Sequence, residues 1–233
     1  MSTFSSLKFR GSLNPQNLNI NKCLLEDQFM DFSHPLVYAA ARALTKGYSD
    51  PWDKISGIFN FVRDKITYNF APNLAGPEDF KASRIIKARQ GFCHQKAILS
   101  SALLRAVEIP SALYFQDIID YPLLKSRYKE YIPSGILYYH GLAAVFADGA
   151  WHRLDGTLDS GLCRRRGYRL SIIKHGRETL LPDTTETGNK HFKILKEHGY
   201  LEFYDPAFSA YIFKNKEAWK KWRRFVHKEH LSM

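Results

Sequence analysis

The stretch GFCHQKAILSSALLRAVEIPSALYF (residues 91–115) decides how this chain folds. From Cys93 to Val107 the apolar residues cover most of the circumference of a helix, a pattern typical of a helix that is buried on all sides. After Pro110 the pattern becomes strand-like, with aromatic residues and elements of two-residue alternation. Cys93 therefore opens a buried helix that runs directly into a strand.

The first third of the chain carries the start and stop signals of helices. Pro35 and Gly47 bound one helical segment, and Asp50 with Pro51 forms the N-cap and first position of a second. A third, short helix is expected over residues 79–89. Strand patterns follow over residues 111–118, 136–147 and 150–155. Helices followed by strands predict an α+β fold.

The length and composition bound the organisation of the chain. With 233 residues, 45% of them hydrophobic, the chain can form one domain with a sizeable core, and no repeat or long polar linker divides it. We expect a single domain over residues 1–233, with its core over about residues 30–180. The sequence shows neither an apolar leader nor a membrane span, so we expect a soluble, cytoplasmic protein.

The cysteines and histidines do not form a recognisable metal site. Cys23, Cys93 and Cys163 are widely spaced and form no C-x-x-C pair, which argues against structural zinc and against a disulfide framework and predicts reduced thiols. His140 and His152 lie on opposite faces of the predicted sheet. We expect no metal and no cofactor. His94, next to Cys93 in sequence, is expected to be a surface or subsite residue.

The net charge of +11 is partly concentrated near the C-terminus. The segment KNKEAWKKWRRFVHKE (residues 214–229) holds seven Lys or Arg against two Glu. Trp219, Trp222 and Phe225 recur in it at helical spacing, which predicts a basic amphipathic helix over about residues 214–230. We expect this helix to dock on the domain with its basic face in solvent. An acidic membrane surface or a nucleic acid is the alternative partner for that face.

One turn predicts which side chains meet on the sheet. Asp148-Gly149 between apolar strands favours a two-residue type I′ hairpin, which fixes the register of the two strands. In that register Leu142 faces Asp155, and His140 lies two residues further along the same face. The two residues are then diagonal neighbours. We therefore expect a hydrogen bond between the His140 imidazole and the Asp155 carboxylate.

Cys93 lies where a reactive thiolate is favoured. A helix start offers unpaired N–H groups and the positive end of the helix dipole. An adjacent imidazole would act as the base, and a carboxylate would orient that imidazole. Cys93, His140 and Asp155 are therefore the candidate catalytic residues. Asp159 also has the required strand parity, but Gly156 interrupts the strand before it, so we rank Asp155 first.

These segments resemble the transglutaminase-like superfamily of papain-type cysteine enzymes, particularly its bacterial members. Residues 91–115 are similar to its G-x-C-x-x-K-A block, and HGLAAVFADGAWHRLDGTLD (residues 140–159) is similar to the block that carries its His and Asp. The resemblance, strongest over residues 55–159, implies a papain/transglutaminase-like fold with the nucleophile helix packed on an antiparallel sheet. Glu108 replaces the usual Gly before I-P, so a left-handed helix end would cost roughly 1–2 kcal/mol there.

The resemblance also implies acyl transfer on amide bonds of a peptide or protein. The Cys93 thiolate attacks a carbonyl, and water or an amine resolves the acyl-thioester. The Cys93 backbone N–H is the expected first oxyanion donor, with Trp52, Tyr68 and Gln90 available as the second. We expect hydrolysis rather than crosslinking because water needs no acceptor site. The alternatives are a catalytically silent binding or scaffold module and a nucleic-acid or membrane binder. The long connection over residues 119–135 is of a kind that is often functional.

Overall fold

The computed structural model describes residues 11–231 of the chain, and the side chains of residues 11–227. Residues 1–10 and 232–233 of the predicted single domain lie outside the described residues. The α-helices are α1 (Pro35–Leu44), α2 (Pro51–Lys65), α3 (Ala82–Ala88), α4 (Cys93–Arg105), α5 (Tyr121–Leu124), α6 (Ser160–Arg166), α7 (Pro206–Lys214) and α8 (Lys216–Leu231). Short 3₁₀ helices occupy Pro15–Asn17, Lys22–Leu24, Pro77–Phe80 and Arg127–Glu130. The strands are β1 (Thr67–Tyr68), β2 (Gln90–Gly91), β3 (Ser111–Asp120), β4 (Ile136–Ala147), β5 (Ala150–Leu154) and β6 (Phe192–Leu201).

The long strands form one antiparallel sheet in the order β5-β4-β3-β6, and β1 and β2 form a small parallel pair. Helix α4 packs on β3 and β4, and α1, α2 and α3 surround its other sides. Ile98, Leu99 and Leu103 of α4 are fully buried between these layers. The predicted α+β class is confirmed, and the helix that begins at Cys93 is the buried centre of the fold.

Helix α2 begins as its sequence predicts. The Asp50 carboxylate accepts hydrogen bonds from the backbone N–H groups of Trp52 at 2.7 Å and Asp53 at 3.2 Å, and Pro51 occupies the first position. The apolar stripe of α2 faces α4, where its side chains join the main core. The N-cap and the stripe together fix how this helix lies against α4.

The C-terminal end of α4 has the left-handed geometry that its sequence suggests. Glu108 has a φ of 62°, and the N–H of Ile109 bonds to the carbonyl of Leu104 at 3.0 Å. A non-glycine residue in this region carries a steric cost of roughly 1–2 kcal/mol. This strain lies at the far end of α4 from Cys93 and does not affect the site.

The hairpin between β4 and β5 has the predicted register. Asp148 and Gly149 have φ values of 51° and 76°, both positive as a type I′ turn requires. Ala147 pairs with Ala150 across the turn, and the pairing continues inward along both strands. The prediction for this turn is confirmed.

Strand β6 is an element that the sequence pattern does not predict. Its middle residues are mostly exposed and charged, so they lack the alternation of a half-buried strand. It pairs with β3 at the edge of the sheet, and the register shifts twice along that pairing. Irregular, charged edges of this kind discourage pairing with other chains.

Helix α8 covers residues close to those predicted for the basic helix. Its apolar residues Trp222, Phe225 and Val226 are buried against Phe70 and Tyr128, whereas its lysines and arginines among the described side chains are exposed. The basic face of α8 thus points away from the body of the protein. In the described part of the chain, no helix has the length and apolar character needed to cross a bilayer.

Candidate active site

The position of Cys93 follows from the chain entering α4. The β1–β2 pairing sets Tyr68 beside Gly91, so the segment before Cys93 is held against the segment that follows α2. A Cβ at Gly91 would lie 2.9 Å from Cβ of Gln95, which excludes any larger residue without a shift. Oε1 of Gln95 accepts a hydrogen bond from the Phe92 N–H at 3.3 Å, which completes the start of the helix. Cys93 is half-buried at this end.

The imidazole of His140 and the carboxylate of Asp155 form a short, buried contact. Nε2 of His140 lies 2.6 Å from Oδ2 of Asp155, with 3% and 0% of the two side chains exposed. The other carboxylate oxygen accepts from the Thr157 N–H at 3.0 Å, and the Asp155 N–H donates to the Thr179 carbonyl at 2.7 Å. Asp155 is thus held by backbone groups on both sides.

Cys93 and His140 line the same cavity, and Cys93 acts electrostatically on the imidazole. Because Nε2 of His140 is engaged by Asp155, Nδ1 is the ring nitrogen left for the thiol. Burial alone would lower the pKa of His140, but the charge and hydrogen bond of Asp155, with smaller effects of Cys93, raise it above the usual value for imidazole. The structure therefore brings together the three residues that the sequence predicts as catalytic.

A bulge in β4 directs His140 into the site. Tyr139 has a φ of 52°, and the β3–β4 register shifts next to it. The Tyr139 N–H donates to Oδ1 of Asp117 at 2.9 Å, and its carbonyl lies 2.6 Å from Nε2 of His94. A left-handed aromatic residue in a strand persists only where its surroundings hold it. These contacts supply that support one residue away from the catalytic candidate.

The expectation of a surface position for His94 is wrong, whereas the alternative of a subsite residue agrees with the ring lining a cavity together with Cys93. Only 2% of His94 is exposed, and burial lowers its pKa to about 4. The neutral ring donates from Nε2 to the Tyr139 carbonyl, so Nδ1 accepts from the Tyr204 hydroxyl at 3.0 Å. Its partners belong to β4 and to the segment before α7. Both segments are distant in sequence from His94, so the local sequence does not predict these contacts.

Asp159 has a different role from Asp155. Oδ1 of Asp159 accepts from the Leu162 N–H at 2.8 Å and caps α6, while Oδ2 accepts from the Tyr68 N–H at 2.9 Å. Both oxygens are occupied by backbone donors. Asp155, and not Asp159, is the carboxylate that contacts His140.

The three candidates for the second oxyanion donor lie in different places. The Trp52 indole donates to Oδ2 of Asp148 in the hairpin turn at 2.7 Å, which removes it from the site. Gln90 is exposed and accepts from the Asn69 side chain at 2.9 Å. Tyr68, in contrast, lines a cavity together with Cys93.

Two cavities flank His140. The first, of about 320 Å³, is lined by Cys93 and by an aromatic wall that includes Tyr131, Trp219 and Trp222. Tyr131 belongs to the long 119–135 connection, and the tryptophans belong to α8, so both segments form part of the site. The second cavity, of about 420 Å³, lies against His140 but not against Cys93.

Potential metal ligands occur away from these cavities. Within the described residues, the one group of side chains placed to share a metal ion is Asp50, Asp53 and His175, all of them exposed. None of the three lines either cavity. The group does not include Cys93 or His140.

The sequence pattern of the transglutaminase-like superfamily matches residues 38–156, a span that contains Cys93, His140 and Asp155. This chain belongs to the transglutaminase-like superfamily. The predicted family is confirmed on this match. No curated protein matches the sequence.

Comparison with solved structures supports the fold class of this transglutaminase-like chain. A candidate cysteine protease from Cytophaga hutchinsonii superimposes with a TM-score of 0.52 at 17% identity, over 85% of this chain and 52% of that one. This chain thus spans about half the length of that protein. The periplasmic domain of TgpA from Pseudomonas aeruginosa superimposes with a TM-score of 0.43 at 17% identity, over 62% of this chain and 50% of the other. The first likeness supports the papain/transglutaminase-like fold class.

The lysine of the G-x-C-x-x-K-A block has a structural task in this transglutaminase-like protein. Lys96 is 2% exposed, and its Nζ donates to the carbonyls of Arg63 at 3.0 Å and Ile66 at 2.8 Å. Burial lowers the pKa of Lys96 to about 7. These carbonyls end α2, so Lys96 joins α2 to the helix that carries Cys93. The motif in the sequence contains this lysine but gives no sign of its role, because both carbonyls belong to a distant segment.

Proposed function

We propose that this protein is a cysteine-dependent acyl-transfer enzyme that hydrolyses amide bonds of peptides or proteins. The observation that carries the proposal is the buried 2.6 Å contact between His140 and Asp155, with the same imidazole lining one cavity together with a cysteine at a helix start. Membership of the transglutaminase-like superfamily supports a cysteine enzyme of the papain type. One fold can support many different reactions, so the proposal depends on the residues of the site.

The reaction follows from this geometry in two halves. His140 takes the thiol proton of Cys93, sulfur bonds to the amide carbon, and the carbonyl electron pair moves onto oxygen. When the tetrahedral intermediate collapses, the C–N bond breaks and the amine leaves with the proton from His140. Water, deprotonated by His140, then attacks the thioester and releases the acid and the free thiol. Asp155 keeps the ring in one orientation throughout.

Two donors are available for the oxyanion in this scheme. The Cys93 backbone N–H is unpaired within the helix because it belongs to the first turn. The Tyr68 hydroxyl is the second donor that we propose. Burial, followed by the charge of Cys93, raises the pKa of Tyr68 well above its usual value, so the hydroxyl keeps its proton.

The aromatic cavity suits an apolar acyl group. Tyr131, Trp219 and Trp222 offer ring faces beside Cys93, and the tryptophan N–H groups are directed to backbone carbonyls of Pro72 and Phe70 at 3.3 and 3.5 Å. The cavity therefore presents mostly apolar surface to the side chain next to the scissile carbonyl. A phenylalanyl acyl group is the simplest test substrate.

Site-specific labelling tests the proposed nucleophile and base. We expect an iodoacetamide adduct on Cys93 near neutral pH, and much slower labelling in His140→Ala. Burial raises the pKa of both Cys23 and Cys163 to about 11, so neither should react. His152→Ala is the matched control because His152 lies on the adjoining strand and bonds to the Ala147 carbonyl instead.

Peptide mapping by mass spectrometry reads the result. An adduct on Cys23 or Cys163, or equal labelling rates in His140→Ala and wild type, would refute the assignment. Equal loss of labelling in His152→Ala and His140→Ala would also count against it, because His140, unlike His152, lines the cavity that holds Cys93.

A further inference from the structure

The second cavity adjoins the aromatic cavity at His140 but is not lined by the nucleophile. It shares Tyr68, Phe70, Leu137 and His140 with the aromatic cavity, whereas Cys93 lines only the aromatic one. A substrate bound across the site would therefore extend from the aromatic cavity past His140 into the second cavity. The two cavities would hold opposite ends of the scissile bond.

The charged side chains that line the second cavity are mostly positive. Its lining includes the cationic residues Lys125, Arg165, Arg166 and Lys190. In the part of the chain that the structure describes, these four side chains form no ion pair, and Lys190 lies 5.7 Å from the Tyr121 ring. Unpaired cations around a concave site create a positive potential that attracts an anion.

One acidic residue among the described side chains lines this cavity, and it does not cancel that charge. Asp120 is nine-tenths buried, and Oδ1 accepts from the Leu123 N–H at 3.3 Å. Burial raises its pKa to about 7, against the opposing effects of the Leu123 N–H and of the charges on His140 and Arg166. Near neutral pH the cavity therefore keeps a net positive charge.

The direction of the reaction assigns each cavity to one product. The acyl group stays on Cys93, so it occupies the aromatic cavity. The amine leaves with the proton of His140, so it departs on the side of the second cavity. We infer that the leaving amine of the substrate carries an anionic group, a carboxylate or a phosphate, which Arg165 and Arg166 bind. This inference rests on the proposed amide hydrolysis.

The helix that carries Arg165 and Arg166 is anchored to the segment that carries Tyr68. Both belong to the last turn of α6, which Asp159 caps through one carboxylate oxygen. The other oxygen of Asp159 accepts from the Tyr68 N–H, so the arginine helix and the proposed oxyanion donor share one buried anchor. Arg164 on the same helix is exposed and does not line the cavity. It provides a matched control.

Paired substrates test the charge requirement. N-acetyl-phenylalanyl-glycine has a leaving amine with a carboxylate, N-acetyl-phenylalanyl-glycinamide is its neutral counterpart, and N-acetyl-phenylalanyl-aminoethyl phosphate carries the alternative anion. Binding of each to Cys93→Ala is measured by calorimetry, which does not depend on turnover. Hydrolysis of each by the wild-type enzyme is measured separately.

We expect Cys93→Ala to bind at least one anionic ligand about tenfold more tightly than the neutral ligand. The preference should fall to nearly one when Arg165→Gln and Arg166→Gln are added, and should stay the same with Arg164→Gln. The anionic ligand that binds more tightly shows whether the leaving amine carries a carboxylate or a phosphate. Equal binding of all three ligands, no binding at millimolar concentration, or an equal effect of Arg164→Gln would overturn the inference.

The two readouts separate this inference from the proposed reaction. If the wild type cleaves none of the substrates while Cys93→Ala keeps the preference, amide hydrolysis is wrong and the anionic site stands. If the wild type cleaves charged and neutral substrates with equal kcat/KM and Cys93→Ala shows no preference, the reaction stands and the anionic site is wrong.

Discussion

Lys96→Met is expected to destabilise the protein although Lys96 does not line the aromatic cavity that holds Cys93. Its Nζ donates to two buried carbonyls at the end of α2, where the helix offers no further donor. Methionine fills similar volume but leaves both carbonyls unpaired, at roughly 1–3 kcal/mol each, and gains some apolar contact in return. We expect the free energy of unfolding to fall by about 2 kcal/mol at pH 8.

The pH dependence of this effect has a definite sign. The folded pKa of Lys96 is lowered to about 7, whereas the unfolded value is about 10.4. Between these values the unfolded chain binds more protons, so the contribution of Lys96 to stability is full above about pH 10.4 and is lost as pH falls through about 7. A neutral amine still has two N–H groups, enough for both carbonyls. The gap between wild type and Lys96→Met should therefore widen from pH 7 to pH 10.

Urea denaturation followed by tryptophan fluorescence at several pH values measures this gap. Lys65→Met is the matched control because Lys65 is the exposed last residue of α2, and its substitution should change stability by less than about 0.5 kcal/mol. A Lys96→Met protein as stable as the control variant, or a gap that narrows as pH rises, would refute this reasoning.

Three further substitutions test the candidate site residues, each in a kinetic assay with N-acetyl-phenylalanyl substrates. Asp155→Asn should lower kcat by roughly 10³-fold or more and should lower the pKa of His140 in an NMR titration, since the carboxylate charge is lost; an unchanged pKa contradicts the pairing. Tyr68→Phe should lower kcat about 10²-fold with little change in KM, and a change in KM alone would remove it from the oxyanion site. His94→Phe should lower kcat about tenfold by releasing the Tyr139 carbonyl, while full activity would show that the bulge holds without it.

The elements that the sequence predicts well are those with local causes. The Asp148-Gly149 turn specifies its own backbone, and register then places His140 beside Asp155 without knowledge of the rest of the fold. The buried helix that starts at Cys93 is equally predictable from the sequence, because a helix with apolar residues on every side must be surrounded by protein. The candidate triad could therefore be proposed from two short segments.

The features that the sequence does not predict depend on contacts between distant segments. His94 is buried by Tyr204, which lies 110 positions away, and the bulge at Tyr139 appears only when β3 and β4 pair. The arginine-lined cavity likewise requires α6 to pack beside the 119–135 connection. No periodicity or motif predicts contacts between these segments, because the pattern within each segment indicates only its own secondary structure.

Trapping the acyl-enzyme tests the central claim most directly. Wild-type protein mixed with an N-acetyl-phenylalanyl ester and quenched in acid should give a peptide containing Cys93 with the mass of one added acyl group. The adduct should be absent in Cys93→Ala and should form far more slowly in His140→Ala. An acyl group found on Cys23 or Cys163, or no acyl-enzyme while product accumulates, would contradict the account.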